Sequence, residues 1–347
     1  FAEAADANAW LSSIEGSLRE GDWRPPELAR EKFVIYGQRW LEQRVDLRPR
    51  TRELYESLWR RWLKPAFPDI TIGAMTPETW RAWHLKMTTE NPGSLQPAKA
   101  YRLARAILNT AVDDGTLKSN PCRVKGAGKE KSPERPVVTP EVVRRISNNI
   151  TPRYRLMVLL AAFGQLRFGE LAGLRRRRVD VLHRQLRIEE AAIELGNGRV
   201  IFGDPKSEKG KRPVAFPGDL VPLLEAHLTE FVGADDDALL FTSPEGHPLR
   251  RTKFRSHLLT ACKRAGVVGL HLHDLRHSGL TWSAEAGATT AELMHRGGHS
   301  DPRIALRYQH ATVQRDKDIA ARLGEMYRNA AVGAEPAEDD HQAGATG

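Results

Sequence analysis

Only two cysteines, Cys122 and Cys262, occur in 347 residues. That excludes a disulfide framework, and a reducing cytoplasm is the simplest compartment. No apolar run approaches the ~20 residues that a membrane-crossing helix needs, and no secretory signal is read ahead of the first charges. Acidic side chains are also in short supply, with 44 Asp and Glu against 53 Lys and Arg, a formal net charge of +9. Four of those acids (Glu335, Glu338, Asp339, Asp340) follow Arg328 with no Lys or Arg among them, so the rest of the chain carries 40 acids against 53 cations, or +13. Such an excess suits a polyanionic partner, because each neutralised phosphate releases counterions. Solubility charge is the plainer alternative.

What is present is an ordinary globular composition, 40% hydrophobic and 28% charged, long enough for two or more cores. The chain opens on Phe1 rather than Met, and the expectation is an N-terminal element preceding this point. Residues 1–26 read as one amphipathic helix, with Ala4, Ala7, Leu11 and Ile14 at helical spacing, and a Pro-ended linker. Residues 27–120 read as a compact domain of four helices, and five of the eight tryptophans fall between Trp40 and Trp83. Its first helix carries Phe33, Tyr36 and Trp40 on one stripe, and its second carries Leu54, Leu58 and Trp62. The third begins at Thr76-Pro77, a cap followed by proline. The fourth, from Gln96 to Asp114, shows Lys99, Arg102 and Arg105 at i, i+3, i+6, either a solvated face or a stripe for a groove.

Residues 121–138 form a basic linker rich in Gly, Pro and Lys, with Lys125, Lys129 and Lys131 exposed for phosphate contacts. Residues 139–330 read as a second domain that begins at Thr139-Pro140. An apolar helix comes first, then short alternating segments around a Gly196-Asn197-Gly198 hairpin signal, then helices to about Arg328. The fold class is α+β, mostly helical: an all-α domain plus a mixed domain with one small antiparallel sheet. Residues 331–347 have too few apolar groups to fold and are expected to be disordered.

Four places in the second domain mix cations and histidines with apolar helix. In GQLRFGELAGL, Arg167 and Glu170 lie one turn apart, as an i, i+3 salt bridge would. PKSEKGKRPVAF places Lys206 at the start of a hairpin turn, HLHDLRHSGL spaces His273, Arg276 and His277 within one helical turn, and GGHSDPRIALRYQHA carries His299 and Tyr308. His273 and His277 at i, i+4 could face one metal ion, but no HExxH pattern and no nearby cysteine accompany them, so no metal or other cofactor is expected.

The order Arg167, Lys206, His273-x-x-Arg276, His299, Tyr308 resembles the tyrosine recombinase (phage integrase) family, of the type found in actinobacterial phages and mobile elements. The family boxes GLRxGEL, PKTxxSxR, HxLRHT, LGHS and RYxH stand here as QLRFGEL, PKSEKGKR, HDLRHS, GGHS and RYQH, and the likeness runs from about Glu27 to Arg328. Gln165, Gly210, Ser278 and Gly297 replace the usual glycine, serine, threonine and leucine, and Gly297 is expected to loosen the positioning of His299. The resemblance implies a helical core-type DNA-binding domain, a catalytic domain, and residues 1–26 as the remnant of an arm-binding domain. It implies Tyr308 as a nucleophile that forms a 3′-phosphotyrosyl bond, anchored by Ile304 and Leu306. Arg167 and Arg276 would clamp the phosphate, and Lys206 would protonate the departing 5′-oxygen. His273 would accept or relay the tyrosine proton, His299 would bond the phosphate, and Glu170 would orient the cluster. A phenol suits this work because, at pKa ~10, it conserves the phosphodiester bond energy yet leaves readily on the reverse attack. Partners implied are double-stranded DNA attachment sites, a homotetramer on DNA, and accessory directionality or DNA-bending proteins, with the enzyme associated with the bacterial nucleoid and with no membrane. Lys99, Arg102, Arg105, Lys125, Lys129 and Lys131 then become candidate DNA contacts. A type IB topoisomerase-like enzyme and a catalytically inactive DNA-binding regulator are the alternatives.

Overall fold

The computed structural model describes residues 27–130, 135–205, 208–309 and 313–332, plus scattered positions before 27, with side chains of the last span described over 319–328. Lys131, Lys206, His310 and residues 333–347 lie outside the described residues, as does most of the expected helix over 1–26. No described helix is long and apolar enough to cross a membrane. The chain divides into two compact units, one of residues 1–134 with 193–201 and the other of residues 135–192 with 202–347.

The first unit is helical: α1 (Phe33–Gln43), α2 (Pro49–Leu58), α3 (Pro77–Glu90) and α4 (Gln96–Asp113). Thr76 caps α3, its hydroxyl accepting the Thr79 N–H at 3.2 Å, and Pro77 supplies the preset φ of a first turn. Phe33, Tyr36 and Trp40 are all buried on one face of α1. The spacing read for α2 is corrected, since Leu54 is exposed and the inward residues are Leu58, Trp59 and Leu63. Trp59–Leu63 winds as a π-helical turn, in which the Lys64 N–H reaches the Trp59 carbonyl at 2.9 Å. Trp62 still packs against the same core, partly buried, while Trp59 and Leu63 on either side of it are buried. Phe33, Trp59, Phe67, Trp80, Trp83 and Tyr101 build an aromatic core with ring centroids as close as 4.9 Å, between Phe67 and Trp80. Polar handles find partners at its margin, Trp40 Nε1 donating to Thr110 at 2.8 Å and Tyr36 to Asp114 at 2.7 Å. The opening of the segment read as exposed linker is packed instead. Cys122 and Ala127 are buried in this core, and the Val124 N–H donates to the Tyr101 hydroxyl at 2.7 Å.

The second unit is built around α6 (Arg155–Ala162), whose residues Leu156 to Ala162 are all buried. Around it lie α5 (Pro140–Asn149), α8 (Val221–Glu230), α9 (Arg251–Arg264) and α10 (Leu272–Glu285), with the short α7 (Phe168–Ala172) following α6. The sequence reading of one sheet becomes two. β1 (Val179–Asp180), β2 (Gln185–Ile188) and β5 (Arg212–Ala215) form an antiparallel sheet in the order β1-β2-β5, while β3 (Ala191–Glu194) and β4 (Val200–Gly203) form a separate hairpin, of which residues 193–201 group with the first unit. Glycine at 198, at φ +84°, closes that hairpin at the expected turn. In β5, burial alternates so that Arg212 shares the inward face with Val214, opposite Ile188 and Leu186 of β2. A charged residue in an apolar row needs a buried partner. The described residues then continue into α11 (Thr290–Gly297), α12 (Pro302–Leu306) and α13 (Val313–Val332), with Leu280, Leu293 and Ala305 forming a small satellite core.

Gly37 lies inside α1, where a Cβ would stand 2.1 Å from the Trp59 ring. Alanine improves helix propensity by about 1 kcal/mol, but overpacking a closed core costs ~1–3 kcal/mol, so the collision decides. We expect Gly37→Ala to lower the denaturant midpoint of unfolding, and a stabilised variant would contradict this packing.

Candidate active site

The N-terminus of α7 places the first cation. Arg167 is the extended N-cap residue, and Glu170 in the first turn accepts its backbone N–H at 2.9 Å and its Nη1 at 2.7 Å. Glu170 is 2% exposed, and Arg212 holds it from the other side with two parallel bonds of 3.2 Å. Arg276 Nη1 stands 3.9 Å away. Burial pushes the Glu170 carboxyl up, but Arg212, Arg167 and Arg276 together outweigh it and hold the group below the usual carboxylate range. The i, i+3 pair read from the sequence is therefore one edge of a larger cluster.

The C-terminus of α11 fixes the other side of the same arginines. Gly298 is left-handed (φ +56°), its N–H bonding the His295 carbonyl at 3.1 Å and the His299 N–H bonding Met294 at 2.9 Å. That is a Schellman ending, and it leaves the next carbonyls without helical partners. Arg296 O accepts Arg212 Nε at 3.0 Å, Gly297 O accepts Arg276 Nη2, and Gly298 O accepts Arg167 Nη2 at 3.1 Å. The other end of the Arg276 fork, Nη1, donates to the Gln165 carbonyl. Burial, and then Arg167, push the Arg276 guanidinium down to about 9, which leaves it cationic at neutral pH. Arg167, Arg212 and Arg276 face the single carboxylate of Glu170, so the cluster carries two uncompensated positive charges, with Arg212 and Arg276 almost wholly buried. Buried charge of one sign favours binding an anion.

The histidines are neutral in that field. His299, 7% exposed, accepts from Arg276 through Nε2 at 3.0 Å. A guanidinium only donates, so the neutral ring carries its proton on Nδ1. That buried Nδ1 has no hydrogen-bond partner among the described residues. Burial, then Arg276 and Arg167, push His299 down to about 4. Protein packed around His273, then the same two arginines, push it also to about 4, although its edge remains open to solvent. The expected loosening of His299 by Gly297 is corrected. The imidazole lies over the glycine, where a Cβ would stand 2.6 Å from its Cε1.

Tyr308 follows α12, its N–H bonding Ala305 O at 3.0 Å. The anchor is the fully buried Ala305 and not Leu306, which is 53% exposed, because a five-residue helix turns only one small face onto Leu280 and Leu293. Gln309 pins the segment, meeting Thr290 Oγ1 at 2.7 Å and the Ala288 carbonyl at 3.2 Å. The Tyr308 ring lies parallel to His299 at 6.3 Å between centroids and tilted against His277 at 5.1 Å. Burial pushes its phenol up against the pull of Arg276, Arg307 and Arg167, so it is protonated at rest.

Arg167, Glu170, Arg276, His299 and Tyr308 thus gather in one place. His273 and Arg167 line a cavity of about 390 Å³ beside them, with Arg135, Arg251 and Arg255 over a floor that includes Phe168 and Phe254. Lys206 lies outside the described residues, and no group of three or more His, Cys, Asp or Glu side chains suited to a metal ion occurs among them. In the first unit, Arg105, Lys125 and Lys129 are exposed, whereas Arg102 pairs with Glu130 and donates to Gly128 O at 2.9 Å, and Lys99 stands 3.9 Å from Glu130. Sequence reasoning missed Arg212, although it closes the PKSEKGKR box and falls on the inward phase of its strand.

The sequence pattern of the phage integrase family matches residues 136–315. The integrase of Mycobacterium phage FRAT1 is 34% identical over 335 residues, covering 92% of this chain and 98% of its own. Among solved structures, the Tn1549 transposon integrase in complex with a circular intermediate DNA superposes with a TM-score of 0.75 at 18% identity, over 84% of this chain and 99% of that one. A lambda integrase tetramer bound to a Holliday junction gives 0.58 at 16% identity, over 88% and 86%.

Two measurements test the site. A Cβ at Gly298 would stand 2.8 Å from Arg212 Nη1, and a left-handed alanine costs about 1–2 kcal/mol; Gly298→Ala should lower thermal stability by at least that much. His273 and His299, at about 4 against the usual 6.5, bind fewer protons folded than unfolded between those values. Their contribution is intact above pH 6.5 and lost as the pH falls toward 4. The drop in melting temperature over that window should shrink in the His273→Gln/His299→Gln double variant, and an unchanged drop would refute the neutral assignment.

Proposed function

The chain belongs to the phage integrase family, and from that premise we propose that it is a site-specific DNA recombinase that cuts and rejoins strands through a covalent bond between Tyr308 and a 3′-phosphate, integrating or excising a phage or other mobile element. The observation that carries this reading is the His299 Nδ1–H, a buried donor without an acceptor among the described residues, on a ring whose Nε2 accepts from Arg276 and which lies parallel to the Tyr308 ring. A non-bridging phosphate oxygen supplies the missing acceptor and relieves the two surplus charges.

In the proposed step, the Tyr308 oxygen attacks phosphorus and gives up its proton, a phosphotyrosyl bond forms, and the 5′-oxygen leaves with a proton. Arg167 and Arg276 bind the charge that grows on the phosphate oxygens, being forked and cationic at neutral pH. Glu170 and Arg212 fix the forks without touching DNA. His299 has its lone pair committed to Arg276, so it donates to phosphate and leaves proton acceptance to the solvent-open His273. Lys206 is assigned to the 5′-oxygen on the family resemblance; general acid help of that kind is worth ~10²–10⁴-fold. Bond energy is conserved in the intermediate, so neither ATP nor metal is required. Arg105, Lys125 and Lys129 would contact phosphates, with Lys99, Arg102 and Lys131 alongside, in a core-type DNA-binding domain of residues 27–120. Double-stranded attachment sites are the substrate. A homotetramer on DNA, as in the lambda integrase structure, is the proposed assembly.

The test uses a nicked duplex bearing the attachment site, located by sequencing the DNA that flanks the gene. In EDTA, the protein should form a covalent complex that survives denaturing electrophoresis. Tyr308→Phe should bind DNA normally and form none. Absence of adduct with intact protein, while binding persists, would sink the enzymatic reading, and a wild-type adduct level in Tyr308→Phe would reassign the nucleophile.

A further inference from the structure

Gln165 adopts φ +55°, one of two non-glycine residues with positive φ among the described residues. An L side chain is strained there, whereas glycine would be free. The residue is 2% exposed, and its polar atoms are engaged on several sides. Its carbonyl accepts Arg276 Nη1. Its amide nitrogen donates to Gly279 O at 2.9 Å and to Ser283 Oγ at 2.5 Å, one and two turns beyond Arg276 on α10. Its amide oxygen accepts Arg296 Nε at 3.1 Å. Arg296 in turn begins the run of carbonyls that receives Arg212, Arg276 and Arg167. The close approach is built in: a Cβ at Gly279 would stand 1.9 Å from Ala162 O and 3.0 Å from Gln165 Cγ.

We propose that Gln165 is a positioning residue for the phosphate clamp. Its carbonyl sets one end of the Arg276 fork, and its amide ties α10 to the end of α11, whose Gly297 carbonyl sets the other end. One side chain thereby fixes the helix that carries Arg276 and the carbonyls that aim it. Packing alone would not call for an amide there, since a methionine fills similar space without the strained residue meeting three polar partners. The proposal rests on the recombinase reading, because the clamp's use is to hold a phosphate.

The test compares Gln165→Gly and Gln165→Met with wild type in single-turnover cleavage of the nicked attachment-site duplex at saturating protein, alongside DNA affinity and melting temperature. Glycine keeps the carbonyl and relieves the backbone strain, which offsets part of the cost of the lost amide bonds and side-chain volume, so the fold should survive with a melting temperature no lower than that of the methionine variant. Misplacing a clamp by about 1 Å can cost ~10²-fold in rate, so both variants should cleave at least about tenfold more slowly, with affinity within about twofold of wild type. Wild-type cleavage by Gln165→Gly would overturn the proposal. Slow cleavage by the glycine variant but not the methionine variant would overturn it too, because volume rather than the amide would then be the cause. Failure of wild type itself to form the adduct would instead reject the recombinase reading.

Discussion

Three successive backbone carbonyls at the end of α11, those of Arg296, Gly297 and Gly298, each receive a different arginine, and the site depends on that arrangement. Every α-helix ends in carbonyls without intrahelical partners, and the aligned peptide dipoles make that end attractive to cations. Here the left-handed Gly298 turns the chain so that these acceptors fan toward Arg212, Arg276 and Arg167. A carbonyl orients a guanidinium while leaving its full charge in place, which a second carboxylate would not do. Glu170 is the one carboxylate admitted, and it is placed to brace all three cations at once.

This division explains how the cluster can be both rigid and positively charged. Were each arginine paired with its own acid, the site would be stable but electrically silent toward a phosphate. Were none paired, three like charges would drive the elements apart. One acid plus a row of dipoles lies between these extremes and leaves two positive charges for the substrate. In the proposed mechanism, an entering phosphate supplies the anion that this arrangement lacks.

The charged letters of the clamp were largely legible in the sequence because their chemistry tolerates few substitutes. Arg167, Arg276, His299 and Tyr308 sit in short boxes whose order survives any spacing between them. Arg212 was harder to see, since on a strand it is one cation among several, and only the inward phase of β5 against Ile188 and Leu186 reveals it. Gln165 read as a departure from pattern, and its meaning lies in a backbone angle that no letter announces. The same blindness affected α2 and the turn after it, where periodicity predicted Leu54 and the structure buries Trp59 and Leu63, with Trp62 partly covered. Ala305 was passed over for Ile304 and Leu306 because hydrophobicity ranks side chains by size, while a short helix close to its neighbours has room only for a methyl group. Helix existence was read from spacing, but phase and close approach are tertiary facts.

The field of the clamp also governs its neutral members. Burial first, and then the charges of Arg276 and Arg167, push His273 and His299 down to about 4, so at neutral pH both rings are neutral. Tyr308, pushed up by burial, keeps its proton. In the proposed mechanism, the resting site therefore has a protonated nucleophile beside a weak base, and no attack is poised. A phosphate bound between the arginines would cancel the part of that shift that comes from their charge, and the histidines would regain part of their basicity. In that proposed mechanism, proton acceptance by His273 would be easier with DNA in place than without it, because the charge that attracts the substrate also contributes to depressing the base.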